Sequence, residues 1–114
     1  SPRDPAFAAT YGGDQMSRDG AYHQGTVWAW LMGPFVSAYR RAFGRTSATE
    51  QAARRMIGPL LDQLSEAGLG HISEIYDAQS PYTPRGCFAQ AWSVAELLRL
   101  WVEEFGRQPL EMEV

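Results

Sequence analysis

The sequence predicts an all-α fold on three observations: two segments carry apolar residues at helical spacing, a third is apolar on nearly every side, and Gly, Pro and capping residues separate them. The chain has 114 residues, which suits one domain or part of one. Hydrophobic residues make up 45% and charged residues 20%, a balance that folds rather than staying disordered.

Residues 1–25 are rich in Gly, Pro, Asp and Ser without sustained periodicity, and read as an irregular lead-in. Thr26 to Phe43 reads as the first helix. Val27, Trp28, Trp30, Leu31, Phe35, Val36, Tyr39 and Phe43 leave it little polar face, which predicts burial on most sides. Arg40 and Arg41 fall in its last turn, where they suit the helix dipole, while Gly33 and Pro34 should bend or break it. Gly44 ends it. Ser47-Ala48-Thr49-Glu50 reads as a capping box pairing Ser47 with Glu50, and opens a second helix. Its inner face is Ala53, Met56, Ile57, Leu60, Leu61 and Leu64, and Gly68 closes it. Gly68 to Phe88 has no periodicity; an internal loop of that length is more often functional than not. The third helix runs from about Ala89 to Phe105, with Val94, Leu97, Leu98, Trp101 and Phe105 as its stripe and Gly106 and Pro109 marking its end. The acidic stretch Glu111 to Val114 reads as a solvated tail, and no internal repeat is evident.

Several function classes drop out. A net charge of −3 gives no basic footprint for nucleic acid or anionic lipid. No window approaches the roughly 20 apolar residues of a membrane helix, and the N-terminus lacks the pattern of a signal peptide. All ten basic residues are Arg, and without Asn there is no N-glycosylation site. Cys87 stands alone, so no internal disulfide can form; this favours a reducing, cytoplasmic setting, with Cys87 itself read as a buried small hydrophobe. The chain begins at Ser1 rather than Met, as a processed or excised segment would. A self-sufficient three-helix bundle shows one apolar stripe per helix; the first helix here exceeds that and implies further partners, from a larger domain or from self-association.

Two segments carry candidate chemistry. In Arg18-Asp19-Gly20-Ala21-Tyr22-His23-Gln24-Gly25-Thr26-Val27-Trp28, an aromatic, a His, an amide and a Gly meet at the mouth of an apolar helix. Sugars are bound by such sets: an aromatic face covers the C–H side of the ring, and His or Gln bonds its hydroxyls. The same residues also suit a loop that caps and packs a helix end. In Ile72-Ser73-Glu74-Ile75-Tyr76-Asp77, a carboxylate sits among apolar neighbours, an environment that suits acid–base work, although a surface Glu would read alike. Ser17, Asp19 and His23 lack a nucleophile-elbow pattern, and His23 and His71 are too few for a zinc site. Neither Gly12-Gly13 nor Gly68-Leu69-Gly70 matches a phosphate loop.

Three blocks in order, RDGAYHQGTVWAWLMGPFVSAYRR, PLLDQLSEAGLGHISEIYDA and PRGCFAQAWSVAELLRLW, resemble the glucosidase domain of glycogen debranching enzymes from about Tyr11 to Trp101. The resemblance implies the C-terminal helices of an (α/α)6 barrel, with this chain an incomplete, late portion of one domain. It implies inverting hydrolysis of the α-1,6-linked branch glucose of glycogen or limit dextrin, with no cofactor and no metal. An inverting pair of carboxyls stands roughly 6.5–9.5 Å apart to admit a water. Glu74 matches the family's general base; the acid matches an Asp from an earlier part of the barrel. His23, Gln24 and Trp28 carry over as pocket residues, with Tyr22 and Arg18 in the same block and Trp92 a further candidate that could equally be core. Arg85, like Arg18, could steady a carboxylate or contact hydroxyls, and Asp19 and Asp77 are assigned hydrogen-bonding or structural roles. The expected partners are an α-glucan and the rest of the barrel or a second copy. Another (α/α)6 glycosidase of the processing-glucosidase or glucoamylase kind shares a late Glu and a following Trp-Ser; a non-catalytic sugar-binding or oligomerisation module is the reading from a different class.

Overall fold

A computed structural model of the chain describes residues 1–106. The expected stop at Pro109 and the acidic tail from Glu111 to Val114 lie outside the described residues. The described chain is mostly helical, with one small sheet. None of its helices is long and apolar enough to cross a membrane.

The lead-in is not wholly irregular. Helix α1 spans Gln15–Ala21, started by Asp14, whose side chain accepts from the Ser17 amide at 2.9 Å. Hydrogen bonds from Ser17 hold the Asp14 carboxyl below its ordinary range. Only Ala21 of this helix is buried, so no apolar stripe announced it.

The first long helix starts later than its composition predicts. Val27–Trp28 form strand β1, Ala29–Leu31 a 3-10 turn, and α2 runs only from Met32–Phe43. β1 pairs antiparallel with β2, Ile75–Tyr76, aligning Val27 with Tyr76 and Trp28 with Ile75. β2 pairs in turn with β3, Pro84–Arg85, in the order β1-β2-β3. A β-branched residue beside a Trp takes the strand readily once a partner edge is present. Two-residue strands are too short to show alternation, and for that reason the sheet was illegible in the sequence. Pro34 falls in the first turn of α2, where its missing N–H would have no intrahelical acceptor, so it does not break the helix. Gly33 lies against Glu96, and a Cβ there would overlap the Glu96 carboxylate.

Helix α3, Ser47–Glu66, opens with a capping box shifted by one residue from the expected one. Thr46 is the N-cap: its hydroxyl accepts from the Thr49 amide at 3.2 Å, and the Thr49 hydroxyl accepts from the Thr46 amide at 3.0 Å. Glu50 turns instead to Arg54, at 2.8 Å, and lies 3.8 Å from Arg40. The expected inner face holds, with Ala53 and Ile57 fully buried and Met56, Leu60, Leu61 and Leu64 packed around them.

Helix α4 covers Ala91–Glu103. Of its expected stripe, Leu97 is buried and Phe105 folds into the core just past the helix end, but Leu98 faces out and Leu100 takes the inner place. Val36, Ile57, Ile72, Tyr76, Leu97, Leu100 and Phe105 form one core between the helices and the sheet. Helix α2 is less enclosed than its composition predicts: Leu31 before it, and Phe35 and Phe43 within it, are exposed.

Candidate active site

The site begins with the loop that follows α1. Tyr22 ends that helix, and its carbonyl accepts from the Trp28 indole N–H at 3.1 Å and from the Thr26 hydroxyl. These two bonds fold residues 22–28 back on themselves and bring three rings together. Tyr22 meets Trp28 edge-on at 4.7 Å between centroids and His23 at 4.9 Å; His23 lies stacked on Trp28 at 5.2 Å with planes 6° apart. Trp92, at the start of α4, continues the row 6.1 Å from Trp28 and 5.7 Å from Trp30. Gly25 is required by a close approach: the Ala8 amide donates to the Gln24 carbonyl at 2.8 Å, and a Cβ on Gly25 would overlap the Ala8 carbonyl.

Glu74 enters from the other side, immediately before β2, and is half-buried. One carboxylate oxygen, Oε1, accepts from the Tyr22 hydroxyl. The other, Oε2, accepts from the Cys87 amide at 3.0 Å. The backbone of Glu74 also donates to the Cys87 carbonyl at 2.8 Å, fixing the strand that carries the carboxylate. Between them lies Gly86 at φ +67°, where a Cβ would come 2.5 Å from Glu74 Oε2. The Glu74 hydrogen bond, with burial adding to it, pushes the Tyr22 hydroxyl up to about 12, so that it remains a donor.

Asp77 is a structural tie. Its Oδ1 accepts from the Tyr11 amide at 2.8 Å and its Oδ2 from the Arg85 fork at 3.2 and 3.0 Å. Burial acts to raise the Asp77 carboxyl, but the Arg85 bonds and charge and the Tyr11 amide outweigh it and hold the group below its ordinary range. Arg85 is thereby engaged by Asp77. The Ala78 amide adds a bond to the Ala9 carbonyl at 2.8 Å, so the lead-in is laced to the end of β2 beside the Tyr22 ring.

Five expected site residues therefore form one contiguous cluster: Glu74, Tyr22, His23, Trp28 and Trp92. Two do not join it through the bonds they make. Arg18 donates to the Gly13 carbonyl at 2.7 Å, within its own turn, and Gln24 is exposed and tied through its backbone to Ala8 and Ala21. Cys87, expected to be buried, is an exposed free thiol whose backbone serves Glu74. Gly86 and Cys87 were not among the expected site residues, although the run Pro84-Arg85-Gly86-Cys87 opens the block that follows the Glu74 segment. A cavity of 310 Å³ lies elsewhere, between α2, α3 and the sheet; it is lined mainly by apolar residues such as Met32, Met56, Leu60 and Tyr76 and by none of the five clustered residues.

Residues 1–99 fit the family described as amylo-alpha-1,6-glucosidase. No curated protein and no solved structure matches the chain.

Proposed function

Because this chain belongs to the amylo-α-1,6-glucosidase family, we propose that it supplies the general base of a glycosidase that releases α-1,6-linked branch glucose from limit dextrin with inversion. The observation that carries the reading is the placement of Glu74: its carboxylate is held by Tyr22 and the Cys87 amide against the wall of Tyr22, His23 and Trp28. A base must be fixed within reach of the water it activates, and an aromatic wall offers the apolar face of a glucose ring a place to lie. An inverting acid stands roughly 6.5–9.5 Å from the base, on the far side of the sugar.

In this reading the acid is an Asp borne by preceding helices of an (α/α)6 barrel, and those helices cover the apolar side chains left open on α2 and α4, among them Phe35, Leu98 and Val102. The chain alone would then be inactive, lacking both the acid and the walls that position the sugar. The single free cysteine suits a cytoplasmic enzyme.

The test is to follow the enzyme containing this chain by proton NMR as it acts on limit dextrin. β-Glucose should appear first and mutarotate later. First release of α-glucose would exclude the inverting base, and release from linear maltooligosaccharides but not from limit dextrin would move the chain to the glucoamylase-like glycosidases.

A further inference from the structure

Tyr22 makes bonds that a residue reserved for stacking on a sugar would not need. Its hydroxyl donates to Glu74 Oε1, its carbonyl receives the Trp28 indole N–H, and its half-buried ring meets Tyr11, His23 and Trp28 at centroid distances of 5.9, 4.9 and 4.7 Å. We propose that Tyr22 is a positioning residue, one half of a clamp that fixes the rotation of the Glu74 carboxylate, the other half being the Cys87 amide. This rests on Glu74 being the base.

Three features of the clamp are independent of one another. The Tyr22 hydroxyl takes one lone pair of Oε1, and the Cys87 amide takes one of Oε2 at 3.0 Å. Gly86 leaves vacant the space into which any Cβ would press, 2.5 Å from Oε2. An ionised carboxylate has about four acceptor positions, so two remain free, either of which can accept the O–H of an attacking water and take its proton. Free rotation about the last side-chain bond would otherwise sweep these positions out of line with the attacking water, and a misplacement of about 1 Å is worth on the order of 100-fold in rate. The titratable groups facing the Tyr22 hydroxyl and ring are Glu74, Tyr11 and His23. Glu74 is the one hydrogen-bonded to it, so the phenol stays protonated, and a donor, throughout the range in which a glycosidase works.

The clamp can be read without turnover. Tyrosinate absorbance is titrated for the 114-residue chain and for its Tyr22→Phe, Glu74→Gln and doubly substituted forms, with circular dichroism checking that each is folded. Subtracting the paired forms isolates Tyr22. It should ionise at about 12 in the parent and move toward the ordinary phenol value of about 10 once Glu74 is replaced. Ionisation at the ordinary value in the parent, or an identical value in both backgrounds, would overturn the proposal. In the enzyme, Tyr22→Phe should lower kcat about 10- to 100-fold with KM within about twofold, whereas a raised KM at unchanged kcat would make Tyr22 a sugar contact instead. The two readings fail separately. An inactive Glu74→Gln enzyme with an unmoved Tyr22 titration removes the clamp and leaves the base; an active one removes the base and the positioning role together, whatever the titration shows.

Discussion

At Gly86 two demands meet in one residue. Its φ of +67° belongs to the left-handed region, and a Cβ would stand 2.5 Å from Glu74 Oε2 and 3.1 Å from Ile75 Cγ1. Gly86→Ala should therefore cost roughly 1–2 kcal/mol of stability from the backbone alone. It should also reduce turnover beyond that loss, because the carboxylate must move; a denaturation midpoint and a kcat on the same preparation separate the two. Asp77 sets a pH dependence. Its folded carboxyl titrates below the unfolded value of about 3.9, so its contribution is present above that value and lost as pH falls through the folded one. Asp77→Asn should accordingly lower stability at neutral pH and flatten the acid side of the stability profile, measured by denaturant unfolding from pH 2 to 7 or so. At this scale much of the candidate cluster was legible. Tyr22, His23, Trp28 and Glu74 stood in two recognisable blocks, and the fold joins the blocks through the Tyr22–Glu74 bond. Arg18 and Gln24 share the first block, but the turn directs their bonds elsewhere, and a sequence neighbour carries no information on direction.

Among the elements, the start of α3 shows how one residue of register decides a cap. Ser47 and Glu50 have the right types and spacing, but Thr46 has the extended backbone that an N-cap needs, with φ −105° and ψ 165°. Thr46→Ala should cost about 1 kcal/mol, while Ser47→Ala, inside the first turn, should be within about 0.5 kcal/mol of the parent; urea midpoints of the two variants test the order. The long helices were readable because their apolar stripes extend over several turns, as in Ala53, Ile57 and Leu60 of α3. The three strands were not. Each owes its conformation to pairing with a segment distant in sequence, Val27 with Tyr76 and Ile75 with Arg85. The stretch from Gly68 to Phe88, expected as a loop without regular structure, holds β2 and β3, and its ordering comes from the sheet rather than from its own composition.

For the molecule as a whole, the core is held at one end by charge as well as by apolar contact. Arg40 is buried, donates to the Glu104 carbonyl, and lies 3.7 Å from the Glu104 carboxylate, which Arg45 approaches to 3.1 Å. Arg40→Ala would leave the buried Glu104 only its contact with the exposed Arg45, so it should cost about 1.5–3 kcal/mol, the scale of hydrogen bonds to a charged group, against the roughly 2–5 kcal/mol expected for Ile57→Ala at a fully buried site. Calorimetric melting of both variants measures this. Arg40 had been read only as a helix-dipole partner, since burial of a charge depends on Glu104, 64 residues away. One measurement tests the role of Glu74 most directly: turnover of limit dextrin by the enzyme with Glu74→Gln, compared with the parent at saturating substrate. The expected result is a loss of kcat of about 100-fold or more with substrate still bound, the scale of a missing general base. Near-normal turnover would contradict it and remove Glu74 from the chemistry.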